Sequence, residues 1–389
     1  MYQQFYSRFL AANQGKQHFA CHSHYFWPDV TRDAQLQYWD DSAQYVDHKW
    51  EYFFTDCVPE LQQKIARILQ APAAEQIVFA PNTHELLYRI ITCFDPHKPL
   101  RILTTDSEFH SFNRQSTRME ELPNVNVTRI PTQPFATFEQ RFKHALQTQA
   151  ADLVFFSQVF FNSGMALSNV DALVEAVPDS DTVVVVDGYH GFMAIPTDLS
   201  RVCQRAFYLG GSYKYAQGGE GACFAIVPTD NAMRPLYTGW FAEFGELSQA
   251  KAGQVGYSKN GMRFAGATMD FSALYRLRAV LRLFDENNLD VAVINQFIKH
   301  CQQTFLTCLD EVGHPLLCRE RLIMESLEQH GHFLAFDLPS AHDAQSLHDH
   351  LHQHGILTDY RGNRLRFGFG LYHNPLEYDF SCLKQAPSC

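Results

Sequence analysis

The stretch TVVVVDGYHG, residues 182–191, runs four consecutive valines into an aspartate, Asp187. β-Branched residues without polar alternation mark a strand buried on both faces. Six more short apolar runs share this texture: QIVFAPN (76–82), RILTTD (101–106), VNVTRIP (125–131), DLVFFSQ (152–158), RAFYLGG (205–211) and GACFAIV (221–227). Helical patterns separate many of them: HELLYRIITCF (84–94), FEQRFKHALQTQ (138–149) and NVDALVEAV (169–177). Strand alternating with helix predicts an α/β chain with a mainly parallel seven-stranded sheet covered by helices. After about Phe271 the texture changes. Residues 271–286 and 291–309 read as long amphipathic helices, and HFLAFDLP (332–339) and RLRFGFG (364–370) as short strands of a smaller α+β unit.

The bulk properties narrow the classes of partner. With 389 residues, 46% of them hydrophobic, the chain can bury a large core. A formal charge of -11 disfavours nucleic acid and acidic membrane surfaces as partners. No apolar run is long enough to span a bilayer, and the start, MYQQFYSRFL, lacks the pattern of a secretory signal. Ten cysteines at irregular spacing, from Cys21 to Cys389 and without a CxxC pair, read as reduced thiols of a cytoplasmic protein.

The chemistry gathers at one edge of the expected sheet. In an open α/β sheet, ligands bind beyond the carboxyl ends of the strands. Asp187 ends one strand there. The stretch GGSYKYAQGGEG (210–221) follows the next and carries Lys214. A carboxylate and an amine at this edge suit pyridoxal 5'-phosphate, with a lysine bonded to the aldehyde and an acid facing the ring nitrogen. A helix cap and a plain ion pair are the structural alternatives. In APNTHELLYRI (80–90) a strand end leads through Thr83 into a helix, a setting that attracts phosphate as readily as it caps a helix. Phe109 follows another strand end and can stack on a flat ring or fill core. His190, three residues after Asp187, faces the same choice between site and scaffold.

The set PNT (81–83), SEF (107–109), DGYH (187–190) and SYKY (212–215), in this order, resembles the class V branch of the fold-type I pyridoxal-phosphate enzymes, and kynureninase most of all. Gly239, Trp240 and Phe241 match that family's Gly-Trp-Phe, and Asp359, Arg361 and RFGF (366–369) its late motif. The resemblance implies the transferase fold type I and a homodimer with active sites at the interface. It makes Lys214 the Schiff-base lysine and places Asp187 on the pyridine nitrogen and Phe109 on the ring, with His190 in the same pocket. Thr83, His84, Tyr213 and Trp240 would hold the phosphate, and Thr268 that of the neighbouring subunit. Arg366 would bind the substrate's α-carboxylate, and His22 and His24 would stand at the pocket mouth. It divides the chain into an N-terminal segment (1–45) near the site, a large cofactor domain (46–270), and linking helices with a small domain (271–389). The sequence departs from kynureninases at CHSHYFWP (21–28), at Thr268 and at AQGGEG (216–221).

The resemblance thus implies hydrolytic Cβ–Cγ cleavage of kynurenine or a related small-molecule amino acid. A class V aminotransferase or another lyase on a different amino acid is the alternative, and a non-catalytic cofactor-fold binding module a third. A cysteine desulfurase needs a mobile thiol shortly before the substrate arginine, and ILTDYRGNRLRFGF (356–369) contains none. Two histidine clusters, CHSH (21–24) and HDHLHQH (348–354), hold no complete four-ligand set. The second is expected to be a solvated helix face with Leu347 and Leu351 inward, and no metal is expected.

Overall fold

The computed structural model describes residues 2–229, 231–244 and 253–385; Cys389 lies outside them. The seven apolar runs all form strands of one sheet: β1 (Ile77–Ala80), β2 (Leu100–Thr105), β3 (Val125–Ile130), β4 (Leu153–Ser157), β5 (Val183–Asp187), β6 (Ala206–Gly211) and β7 (Cys223–Ile226). Their order across the sheet is β1-β7-β6-β5-β4-β2-β3. Pairing is parallel except at β7, which runs antiparallel to both β6 and β1. Every residue of β1, β4, β6 and β7 is buried. The unbroken apolar runs therefore exist because helices cover both faces.

Among the described residues, eight helices of nine or more residues accompany the sheet: α1 (Val30–Tyr45), α2 (Val58–Leu69), α3 (Thr83–Ile91), α4 (His110–Met119), α5 (Phe138–Thr148), α6 (Ser272–Glu286), α7 (Val291–Val312) and α8 (Ala341–Gln353). The helix expected at 169–177 is only Val170–Val174. Pro178 disfavours helical backbone in the residue before it and shortens the run. Asn82 caps α3, accepting the Glu85 N–H at 2.8 Å, and Asp290 caps α7 in the same way through Val293.

A second, antiparallel sheet holds β8 (Phe333–Asp337), β9 (Asp359–Arg361) and β10 (Arg364–Gly368), with β10 in the middle. The N-terminal aromatics pack against this part of the chain. Gln17–His18 pairs parallel with Ile356–Leu357, Phe26 stacks on Tyr372 at 4.5 Å, and Phe19 contacts Phe305 and Phe369. Helix α1 then lies along α6, where Tyr275 donates its hydroxyl to Asp41 at 2.7 Å. Among the described residues no helix is long and apolar enough to cross a membrane.

Candidate active site

The parallel register sets the site. Ser157 at the end of β4 pairs with Asp187 at the end of β5, and Asp187 pairs with Leu209 of β6. Three residues beyond β6, the chain delivers Lys214 to the same edge. A cavity of about 320 Å³ opens there, lined by Asn82, Thr83 and His84 from the start of α3, Phe109, Asp187, Tyr189, His190, Tyr213 and Lys214. Sequence reading thus brought seven of its residues to one place.

The paired glycines of this stretch serve the sheet. A Cβ at Gly211 would lie 2.5 Å from the Tyr189 ring and 2.7 Å from Cys223 Sγ, and one at Gly210 would lie 2.5 Å from the Phe224 ring. Gly219 and Gly221 do hold positive φ, +72° and +101°, which turns the chain from Lys214 back into β7.

Lys214 is 9% exposed, and burial lowers its pKa from 10.5 to about 7, with the Asp187 carboxylate pulling the other way. Its Nζ hydrogen-bonds His190 Nε2 and stands 5.4 Å from both the Phe109 and the Tyr189 ring centroids. His190 is buried and held neutral, first by burial and then by the Lys214 charge, and its Nδ1 has no partner. Asp187 keeps a partly open side toward the cavity, yet lies deep enough that burial raises its pKa. Its Oδ1 accepts the Tyr189 N–H at 2.9 Å, and no salt bridge reaches it among the described residues. A half-buried carboxylate without a salt bridge, an unpartnered imidazole nitrogen, an aromatic wall and a helix start meet round one amine. These features fit pyridoxal phosphate.

The remaining predicted residues lie elsewhere. Arg366 is buried behind the cavity: Nε and Nη2 bond Asp359 at 2.7 and 2.6 Å, and Nη1 bonds the carbonyl of Phe161, a cavity residue. His22 is also buried, not at the mouth. Its ring stacks on Phe333 at 4.7 Å and its Nε2 bonds Asp359 at 3.0 Å, because a carboxylate that holds an arginine draws in a second donor. His24 is nearer the opening, with Nδ1 3.2 Å from the Tyr213 hydroxyl. Trp240 and Thr268 bond each other at 3.1 Å beside a separate pocket bounded by Glu85 and Arg89. Within one chain they do not reach the Lys214 cavity.

Two groups at the site escaped sequence reading. Glu108 is buried beneath it, accepts hydrogen bonds from Thr105 Oγ1 (2.6 Å) and Ser157 Oγ (2.5 Å), and burial pushes its pKa up to about 8. An acid set between Ser107 and Phe109 at a strand end was the available signal. Asp359 was visible as a motif letter, but its grip on Arg366, His22 and Ser23 depends on tertiary contact.

Comparison with known proteins separates fold from reaction. A cysteine desulfurase of Pectobacterium atrosepticum is 23% identical over 232 residues, 58% of this chain and 56% of that protein, so the match spans little over half of the relative's length. The cystine C–S lyase C-DES, solved with its reaction product cysteine persulfide, superposes with a TM-score of 0.78 at 18% identity over 97% of both chains. A variant of C-DES with glycine covalently linked to its pyridoxal-phosphate cofactor gives 0.78 at 17% identity over the whole of both chains. These relatives are a desulfurase and a C–S lyase, and they overturn the expectation of a kynureninase-like hydrolase. Of the motifs that suggested kynureninase, PNT, SEF, DGYH and SYKY lie at the Lys214 edge of the sheet, whereas Trp240 and the RFGF stretch lie apart from it; a fold of this kind hosts many reactions, so its motifs do not fix which bond breaks. The fold is type I, the cofactor is pyridoxal 5'-phosphate, and the match of residues 27–364 shows that the chain belongs to the aminotransferase class-V family.

Proposed function

We propose that this chain is a pyridoxal-phosphate-dependent lyase that breaks the Cβ–S bond of a sulfur-bearing amino acid such as L-cysteine or L-cystine. The relatives support the C–S bond as target. The observation that carries the choice of lyase is the thiol content of the site. Cys223 is the one cysteine lining the cavity among the described residues, and burial pushes its pKa up to about 12. It is therefore a thiol, not a thiolate, at neutral pH. The segment before Arg366 carries no cysteine either. Sulfur then leaves with the bonding electron pair rather than passing to an enzyme thiol.

When bound, the cofactor supplies an electron sink that acidifies the Cα–H of the amino acid. In this reading Asp187 would hold the ring nitrogen protonated, Phe109 would stack on the ring, and His190, whose Nδ1 has no partner, would stand beside it. Thr83, the His84 N–H and Tyr213 take the phosphate at the start of α3. Lys214 holds the cofactor and, as a free amine, takes the Cα proton; a pKa of about 7 lets it carry that proton and release it. Arg366 would offer its Nη1–Nη2 edge to the α-carboxylate, Nη1 exchanging the Phe161 carbonyl for the substrate. With L-cysteine and one water the products are pyruvate, ammonia and sulfide. With L-cystine, cysteine persulfide replaces sulfide. Trp240 and Thr268, set apart from the cavity of their own chain, support a homodimer in which they complete the phosphate site of the partner.

The test is product analysis of the purified holoenzyme with L-cysteine and with L-cystine. The expected result is pyruvate in step with sulfide or persulfide, abolished in Lys214→Ala. Alanine in place of pyruvate would mean sulfur transfer to an enzyme thiol. Turnover of neither substrate would overturn the assignment of the bond.

A further inference from the structure

The histidine-rich end of α8 is only partly a solvated face. Leu347 and Leu351 are buried as the helical register requires. His348, however, bonds Thr358 at 3.1 Å, and His350 and His354 turn together toward the C-terminal turn Ser381–Gln385. Their rings stand one helical turn apart with centroids 4.5 Å from each other. One nitrogen of each and the Sγ of Cys382 all lie within 4.8 Å of one another.

We propose that His350, His354 and Cys382 form a binding site for a divalent ion of the zinc class, remote from the Lys214 cavity. Two imidazoles and a thiolate are a borderline-soft donor set, and histidines four residues apart on one helix face are suitably spaced for one ion. Three protein ligands leave the fourth tetrahedral position to water.

The surroundings fit a ligand role. His350 Nε2 is 2.9 Å from the Cys382 carbonyl, and His354 Nδ1 is 2.8 Å from the His350 carbonyl. A carbonyl only accepts, so each of these nitrogens carries the proton, and the lone pair of each ring belongs to its other nitrogen. A ligating histidine is commonly oriented by such a bond. The site also lies at the C-terminal end of α8, where the helix dipole favours a cation. His314 adds an independent mark. It is buried, its Nδ1 accepts the N–H groups of Leu316 and Leu317 at 3.2 Å, and its Nε2 has no partner. That Nε2 must carry the proton, and the ring lies near His350. A metal-bound thiolate or hydroxide is an acceptor that such an orphaned N–H lacks. Occupied, the site would clamp the C-terminal turn onto α8.

The experiment uses the full-length holoenzyme. It is incubated with Zn²⁺ and dialysed, and the retained metal is counted. A second sample is loaded with Co²⁺ and read by its d–d bands, which lie to the red of the cofactor. The expected result is one retained equivalent and a tetrahedral Co²⁺ spectrum with thiolate charge transfer. Cys382→Ser should lose the charge-transfer band, and His354→Ala, at an exposed position, should weaken Zn²⁺ binding at least ~tenfold. Retained cofactor absorbance in both variants reports that they are folded. No retained ion, or the same stoichiometry and affinity in both variants as in the parent, would overturn the site.

Discussion

Asp359 grips Arg366 side-on: Oδ1 accepts the Nε–H at 2.7 Å and Oδ2 accepts the Nη2–H at 2.6 Å. The remaining lone pairs of the carboxylate are not idle. His22 Nε2 reaches Oδ1 at 3.0 Å and Ser23 Oγ donates to Oδ2 at 2.6 Å. Burial works against the ionised carboxylate, but His22 and Arg366 hold its pKa well below the usual range. One acid thus couples the N-terminal segment to the arginine assigned to the substrate carboxylate. The departure CHSH at residues 21–24 acquires a use: two of its side chains orient Arg366 through Asp359.

Asp359→Asn keeps the shape and removes the charge. Freed of its carboxylate, the guanidinium loses its fixed orientation behind the cavity residue Phe161. We expect KM for the amino acid to rise at least ~tenfold with kcat changed much less, as fits a positioning role. Breaking a buried pair also costs about 3–5 kcal/mol of stability, so thermal unfolding should be recorded alongside. A fall in kcat at constant KM would place Asp359 in the chemical step instead.

Lys214 should be reactive at neutral pH. In the apo-protein its labelling by an amine-directed reagent should rise with a midpoint near pH 7, whereas exposed lysines titrate near their ordinary 10.5. The same shift has a stability sign. The folded pKa lies below the unfolded one, so between pH 7 and 10.5 the unfolded chain binds more protons, and stability climbs as pH rises through that window. Lys214→Met should remove this slope from the apo-protein. Equal slopes in the two proteins would mean that the amine is not desolvated.

The sheet was legible because most of its strands are buried on both faces, which leaves an unbroken apolar run such as Val183–Val186; the edge strand β3, none of whose residues is buried, was marked only by its β-branched composition. Asp187 and Lys214 were legible because strand ends are fixed by those runs, and an acid or amine just past one has few places to go. The reaction was not legible. PNT, DGYH and SYKY line the cavity at a sheet edge common to many reactions, so they carry no information on which bond of the substrate breaks. Arg366 was named from its motif, but its surroundings were not legible, because Asp359, His22 and Phe161 converge from three distant parts of the chain. The histidines of α8 were judged by their helical spacing alone, and the third ligand, Cys382, lies 28 residues beyond His354 in sequence.

Glu108 should be neutral at pH 7, since burial pushes its pKa up to about 8 against the hydroxyls of Ser157 and Thr105. A folded pKa above the unfolded 4.5 means that the folded state binds the extra proton. Its stabilising effect is present at low pH and is lost as pH rises from 4.5 toward 8. Glu108→Gln, neutral throughout, should remove that decline, a difference on the order of a few kcal/mol in denaturant unfolding at pH 9. Parallel pH profiles for the two proteins would show that Glu108 ionises freely.

Cys223 offers the sharpest test of how sulfur leaves. It lines the cavity, and its Sγ stands 3.7 Å from the Tyr189 hydroxyl, close to the Asp187 end of the sheet. If a thiol of this site received the sulfur, Cys223→Ala would leave it no acceptor and abolish cleavage from the first turnover. Elimination needs no thiol, so the proposal expects Cys223→Ala to retain pyruvate and sulfide formation within about twofold. The small void left by the missing sulfur should lower stability by about 1 kcal/mol. Persulfide on Cys223 in the parent enzyme, seen by intact mass after mixing with L-cysteine, together with loss of turnover in the alanine variant, would reassign the chemistry from elimination to sulfur transfer.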